Sequence, residues 1–107
     1  MEGRAEARMQ GAVEKRLSKI KAAGTGLDVM RKGLIRDLLV SHGEVSLVFR
    51  PSSRTGPEAF QMGMEIHDAV RSIHGVEQVV IHVEDYDRAP ELEHRLREIA
   101  SASGKAE

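Results

Sequence analysis

The chain has 107 residues, with 16 Lys and Arg against 17 Asp and Glu, and it contains no cysteine. That length predicts a single domain, since domains commonly run about 100–150 residues. A net charge of −1 provides no global field to favour nucleic acid or membrane, and without cysteine the chain brings neither a disulfide framework nor a thiolate for zinc or an iron–sulfur cluster.

No apolar run approaches the ~20 residues of a membrane span, and the opening residues lack the apolar core of a signal peptide, so a cytoplasmic location is expected. The aromatics are Phe49, Phe60 and Tyr86 alone, which leaves Leu, Ile, Val and Met to fill the core. Ala5, Met9, Val13, Leu17 and Ile20 recur at helical spacing and predict a basic amphipathic helix. Residues 1–12 are expected to be a flexible extension of it, and Gly24-Thr25-Gly26 to end it.

Leu27–Lys32 reads as a short single-turn segment and Gly33–Val40 as a strand, followed by a hairpin turn at Ser41-His42-Gly43. Val45–Arg50 alternates, Val45, Leu47 and Phe49 on one side and Ser46, Val48 and Arg50 on the other. Pro51–Thr55 is a loop, and Thr55-Gly56-Pro57-Glu58 fits a capping box with Thr55 as N-cap and Glu58 at the third helical position.

The helix that follows is expected to run to about Ile73, burying Ala59, Met62, Gly63, Ile66, Val70 and Ile73, until His74-Gly75 stops it. Gln78–Glu84 is a strand with Val79, Ile81 and Val83 inward and His82 outward, Asp85–Pro90 a loop, Glu91–Ala100 a closing helix, and 101–107 a disordered tail. The order α-β-β-α-β-α predicts an α+β domain: a three-stranded mixed sheet with helices packed on it. The helix between Val45–Arg50 and Gln78–Glu84 is long enough for a right-handed crossover that makes those two strands parallel.

The segments Gly26-Leu27-Asp28-Val29, Gly33-Leu34-Ile35-Arg36-Asp37 and Gly43-Glu44-Val45, with Ile73-His74-Gly75-Val76-Glu77-Gln78-Val79 downstream, resemble the SufT/PaaD-like iron–sulfur cluster assembly family in order and spacing. The resemblance implies that family's domain over 13–100, and it breaks in two places. The family's Asp-Pro-Glu segment falls near Lys21-Ala22-Ala23, and its cysteine, usually followed by proline, falls on Gly56 before Pro57. The heavy-metal-associated domain shares the later helix–strand pattern but depends on a Cys-x-x-Cys loop, which this chain lacks.

Strand end meets helix start at Ser53-Arg54-Thr55-Gly56-Pro57, where backbone N–H groups and the helix dipole can hold an anion. Arg54 brings charge and Ser52, Ser53 and Thr55 bring hydroxyls, although a plain capped loop explains the same residues. Phe60 and Met64, beside the loop, read as a partner or dimer contact or as ordinary core. His67, His74 and outward-facing His82, with Glu84 and Asp85, are the residues from which an N/O metal site can be drawn, while their spacing fits surface histidines as well.

No serine–histidine–acid or paired-carboxylate arrangement can be assembled, so the expectation is a non-catalytic protein with no cofactor of its own. The resemblance implies an accessory or maturation protein for a metalloenzyme, binding a client or assembly factor, with a homodimer left open. The alternative is a small metal or anion carrier using histidines or the helix N-terminus at 54–58.

Overall fold

The computed structural model describes residues 2–21 and 26–104, with the side chains of 7–21 and 26–99. Its elements are α1 (Glu2–Leu17), β1 (Ile35–Ser41), β2 (Glu44–Phe49), α2 (Glu58–Arg71), β3 (Gln78–Val83) and α3 (Ala89–Gly104). This is the α-β-β-α-β-α order read from the sequence, and the three strands form one mixed sheet in the order β1-β2-β3.

β1 and β2 are antiparallel across a tight turn, in which His42 and Gly43 take φ of 51° and 84°. Positive φ at both central residues is what the strand twist selects in a two-residue hairpin. β2 and β3 run parallel, with α2 as the crossover between them. A bulge between Arg36 and Leu39 interrupts β1, where Asp37 takes a φ of 53°.

Val45, Leu47 and Phe49 of β2 and Val79, Ile81 and Val83 of β3 are buried together with Val13, Leu17, Ile66, Val70, Leu92 and Leu96 from the helices. One sheet face therefore meets all three helices. Full burial of a side chain the size of Phe49 is worth about 1.5–3 kcal/mol. Leu27–Lys32 does form a single turn: Asp28 Oδ1 accepts from the Arg31 N–H at 2.9 Å, and the Asp28 carbonyl from the Lys32 N–H at 2.9 Å.

Several boundaries differ from the sequence expectation. Residues 2–12 belong to α1 itself rather than extending from it. α2 stops at Arg71, and Gly75 takes its positive φ of 96° in the turn beyond. α3 runs through Gly104, so 101–104 continue the helix instead of opening a tail; it also starts earlier, at Ala89, because a proline at the second position is compatible with a first turn whose N–H groups have no helical acceptors. The expected helix break at Gly24-Thr25 and the tail residues 105–107 lie outside the described residues.

Candidate functional site

Parallel pairing puts the carboxyl ends of β2 and β3 side by side, with Phe49 opposite Val83. The loops that leave those ends, Arg50–Pro57 and Glu84–Arg88, must therefore meet. They do so through the Asp87 N–H, which donates to the Arg54 carbonyl at 2.8 Å, the Tyr86 hydroxyl, which donates to the Gly56 carbonyl at 2.9 Å, and the Arg50 guanidinium, whose Nε donates to Asp85 Oδ2 at 3.0 Å.

The capping box expected at Thr55 and Glu58 does not form. Pro57 occupies the N-cap position with φ −68° and ψ −16°, and no side chain among the described residues caps the helix. Ser53 turns the loop instead, its Oγ accepting from the N–H groups of Gly56 at 3.0 Å and Thr55 at 3.4 Å. The physical reason is local. The Pro57 ring already holds a helical φ, while a serine two or three residues upstream of free N–H groups competes for them. Glu58 folds over Gly56, so that a Cβ built on Gly56 would lie 2.6 Å from the Glu58 Cδ and Oε1.

The remaining loop residues divide between anchored and exposed. The Arg54 side chain is 75% exposed, its guanidinium 3.8 Å from Asp87. Thr55 and Pro57 are exposed, and Ser53 and Gly56 half-buried. Beneath them, Leu34, Phe49, Pro51, Ala59 and Met62 wall a slot of about 20 Å³, enough for roughly one water molecule.

Phe60 is half-buried and meets the buried Tyr86 edge-on, with ring centroids 6.1 Å apart at 66°. Arg88 lies over the Phe60 ring at 4.6 Å, a cation–π arrangement, and grips Glu91 through Nε at 3.0 Å and Nη2 at 3.2 Å. Hydrogen bonding from Arg88, and then its charge, hold the Glu91 carboxyl below its ordinary range. Met64 is half-buried and packs against the core. Phe60 and Met64 thus serve partly as core while keeping a surface beside the loop.

The histidines do not come together. His67 is 1% exposed on α2, and neither ring nitrogen has a hydrogen-bond partner among the described residues. Asp68 Oδ1, at 3.6 Å from Nδ1, is too far to bond. The expectation that His67 is a surface residue is corrected: it lies one turn beyond Gly63, whose α-carbon faces Leu92 and Leu96 of α3 closely enough that a Cβ there would sit 3.4 and 3.6 Å from their methyls. His74 is exposed beyond the end of α2.

His82 is exposed opposite Val48, on the sheet face turned away from the helices. Glu84 and Asp85 are engaged by Arg36 at 3.4 Å and Arg50 at 2.7 Å. Among the described residues no group of three or more His, Cys, Asp or Glu side chains is placed to hold a metal ion. Also among the described residues, no helix is long and apolar enough to cross a membrane.

Sequence reasoning missed Tyr86, Asp87 and Arg88 as parts of this site. Its available signal was the parallel pairing itself, which sends the loop after β3 to the loop after β2.

Residues 10–83, well over half of the chain, match the model of the iron–sulfur cluster assembly protein family. The chain belongs to this family. A search of curated proteins gives no significant match. The matched stretch takes in the hairpin, the junction, α2 and β3 and stops short of α3. The family takes part in iron–sulfur cluster assembly, so a cluster is cargo of its pathway.

This chain's residues do not fit a resident cluster. It has no cysteine, and its histidines lie apart. Where the resemblance puts the family cysteine stands Gly56, with Pro57 retained after it. The family's acidic segment falls near residues 21–23, of which 22–23 lie outside the described residues.

Proposed function

We propose that this chain is a non-catalytic accessory protein of iron–sulfur cluster assembly or metalloenzyme maturation, acting in the cytoplasm by contact with a client enzyme or another assembly factor. The observation that carries this reading is the junction at Gly56-Pro57. It keeps an ordered shape through Ser53 and Tyr86, yet carries no cysteine thiolate. The contact surface is the loop 51–57 with the first turns of α2, where Arg54 is exposed and Phe60 and Met64 are half-exposed beside it. Aromatic rings and arginines are residue types enriched where proteins meet.

Affinity capture with the full chain, followed by mass spectrometry, tests the contact. Recovery of an iron–sulfur enzyme or assembly factor is expected, with most of it lost on replacing Arg54→Glu and Phe60→Ala together. Undiminished recovery by the double variant removes this surface from the reading. Anaerobic reconstitution with iron and sulfide tests the rest. The chain as it stands should show no stoichiometric visible absorbance, and a cluster bound by it would overturn action by contact alone.

A further inference from the structure

Outside the carboxyl ends of β2 and β3, an open groove of about 450 Å³ lies between Gly33, Leu34, Arg50, Pro51, Arg54 and Asp85. In sheets with parallel strands, this is the end at which ligands bind. Two of its six lining residues are arginines, whose planar forks match carboxylate and phosphate groups in pairs of parallel hydrogen bonds.

The two guanidiniums are committed differently. Arg50 places Nε at 3.0 Å and Nη2 at 2.7 Å from the same Asp85 oxygen, Oδ2, which fixes the direction of its fork. Its Nη1 has no partner among the described residues. Arg54 is tied through its backbone, since its carbonyl accepts from the Asp87 N–H at 2.8 Å. Its guanidinium is 75% exposed and only 3.8 Å from its nearest acid, longer than the about 2.7–2.9 Å of a charge-assisted bond.

Arg54 is therefore a fixed base carrying a fork that Asp87 holds only loosely. Across the groove Gly33, at φ +79°, leaves open space where a side chain would stand, with nothing within 4 Å of a built Cβ. Two cations against the one Asp85 carboxylate leave the lining net positive.

We propose that this groove binds a carboxylate or phosphate group, which Arg54 meets with its exposed, loosely paired fork while Arg50, held by Asp85, supplies the second donor. The inference does not depend on the client contact proposed above. Pro51 and Arg54 belong to both, and Gly33, Leu34, Arg50 and Asp85 belong to the groove alone.

The test is nuclear magnetic resonance on the labelled full chain at constant ionic strength. The backbone amides of Gly33, Arg54 and Asp85 and the arginine Nε–H signals are followed as inorganic phosphate, succinate and a capped glutamate-rich hexapeptide are added in turn. Saturable shifts confined to the groove are the expected result. Saturation by phosphate or succinate identifies a small-ion site; saturation by the peptide alone identifies a carboxylate carried by a protein. Arg54→Gln should weaken the saturating probe roughly tenfold or more, the scale of one lost charge-assisted bond.

Arg54→Lys should recover only part of that loss, and Arg50→Gln should weaken binding as well. Arg95→Gln, on the exposed face of α3, should leave it unchanged. All three side chains are at the surface, and circular dichroism verifies that each of the four variants is folded. Non-saturating shifts spread over the molecule with every probe would overturn the proposal, as would an Arg54→Gln binding curve identical to that of the parent chain.

Discussion

The loop junction and the buried side of α2 treat polar groups in opposite ways. At the junction Ser53 Oγ, the Gly56 carbonyl and the Arg54 carbonyl all lie near solvent, and each has a partner within the chain. On the buried side of α2 the His67 ring is shut away at 1% exposure with both nitrogens unpaired among the described residues. The region that looks reactive in sequence is thus internally satisfied, whereas the polar group under energetic tension is in the core. Pattern alone ranks residues by chemical type. Burial and pairing decide which of them is costly to keep.

The comparison can be broken hardest at Phe49, which is fully buried and forms the floor of the slot under the junction. Phe49→Ala should cost about 3–5 kcal/mol in denaturant unfolding, the usual range for a buried phenylalanine with its cavity left open. A loss under about 1 kcal/mol would mean that the junction rests on its own hydrogen bonds and not on the core beneath.

His67 carries the opposite sign. Each buried polar atom left unpaired costs roughly 1–3 kcal/mol, so an apolar side chain of similar volume should be better tolerated than the native one. His67→Leu is expected to raise the unfolding free energy by about 1–3 kcal/mol. Destabilisation instead would show that the imidazole has a hydrogen-bond partner in solution, and the contrast between the two regions would then fail.

Tyr86→Phe removes the hydroxyl that holds the Gly56 carbonyl while keeping the ring against Phe60. A net loss of about 0.5–1.5 kcal/mol is expected, with faster amide exchange at Gly56. Exchange unchanged at Gly56 would leave Ser53 as the sole organiser of the loop.

How far the sequence carries depends on the range of each interaction. The alternation in Val45–Phe49 and Val79–Val83 is local and gives strands and inward faces directly, and the helix between them gives the parallel pairing. His67 was legible by position, because it stands four residues after Gly63 and three before Val70, both on the buried side of α2. Its polarity argued for the surface and was overridden by the period. The Tyr86–Gly56 latch spans 30 residues, and no local pattern encodes it. Family resemblance located the missing cysteine at Gly56 but could not show that Glu58 fills the space above it.

The smallest effect separates two accounts of the same turn. Were Thr55 the N-cap, Thr55→Ala would cost about 1 kcal/mol, the usual value for a lost cap. In the structure Thr55 is exposed, and the turn is closed by Ser53 Oγ, at 3.0 Å from the Gly56 nitrogen. Thr55→Ala should therefore fall within about 0.5 kcal/mol of zero, like other surface changes, whereas Ser53→Ala should cost about 0.5–1 kcal/mol. Equilibrium unfolding of the two single variants decides it. The reverse order would restore the capping box, free Ser53 Oγ for a ligand, and return the junction to the class of anion-binding helix starts.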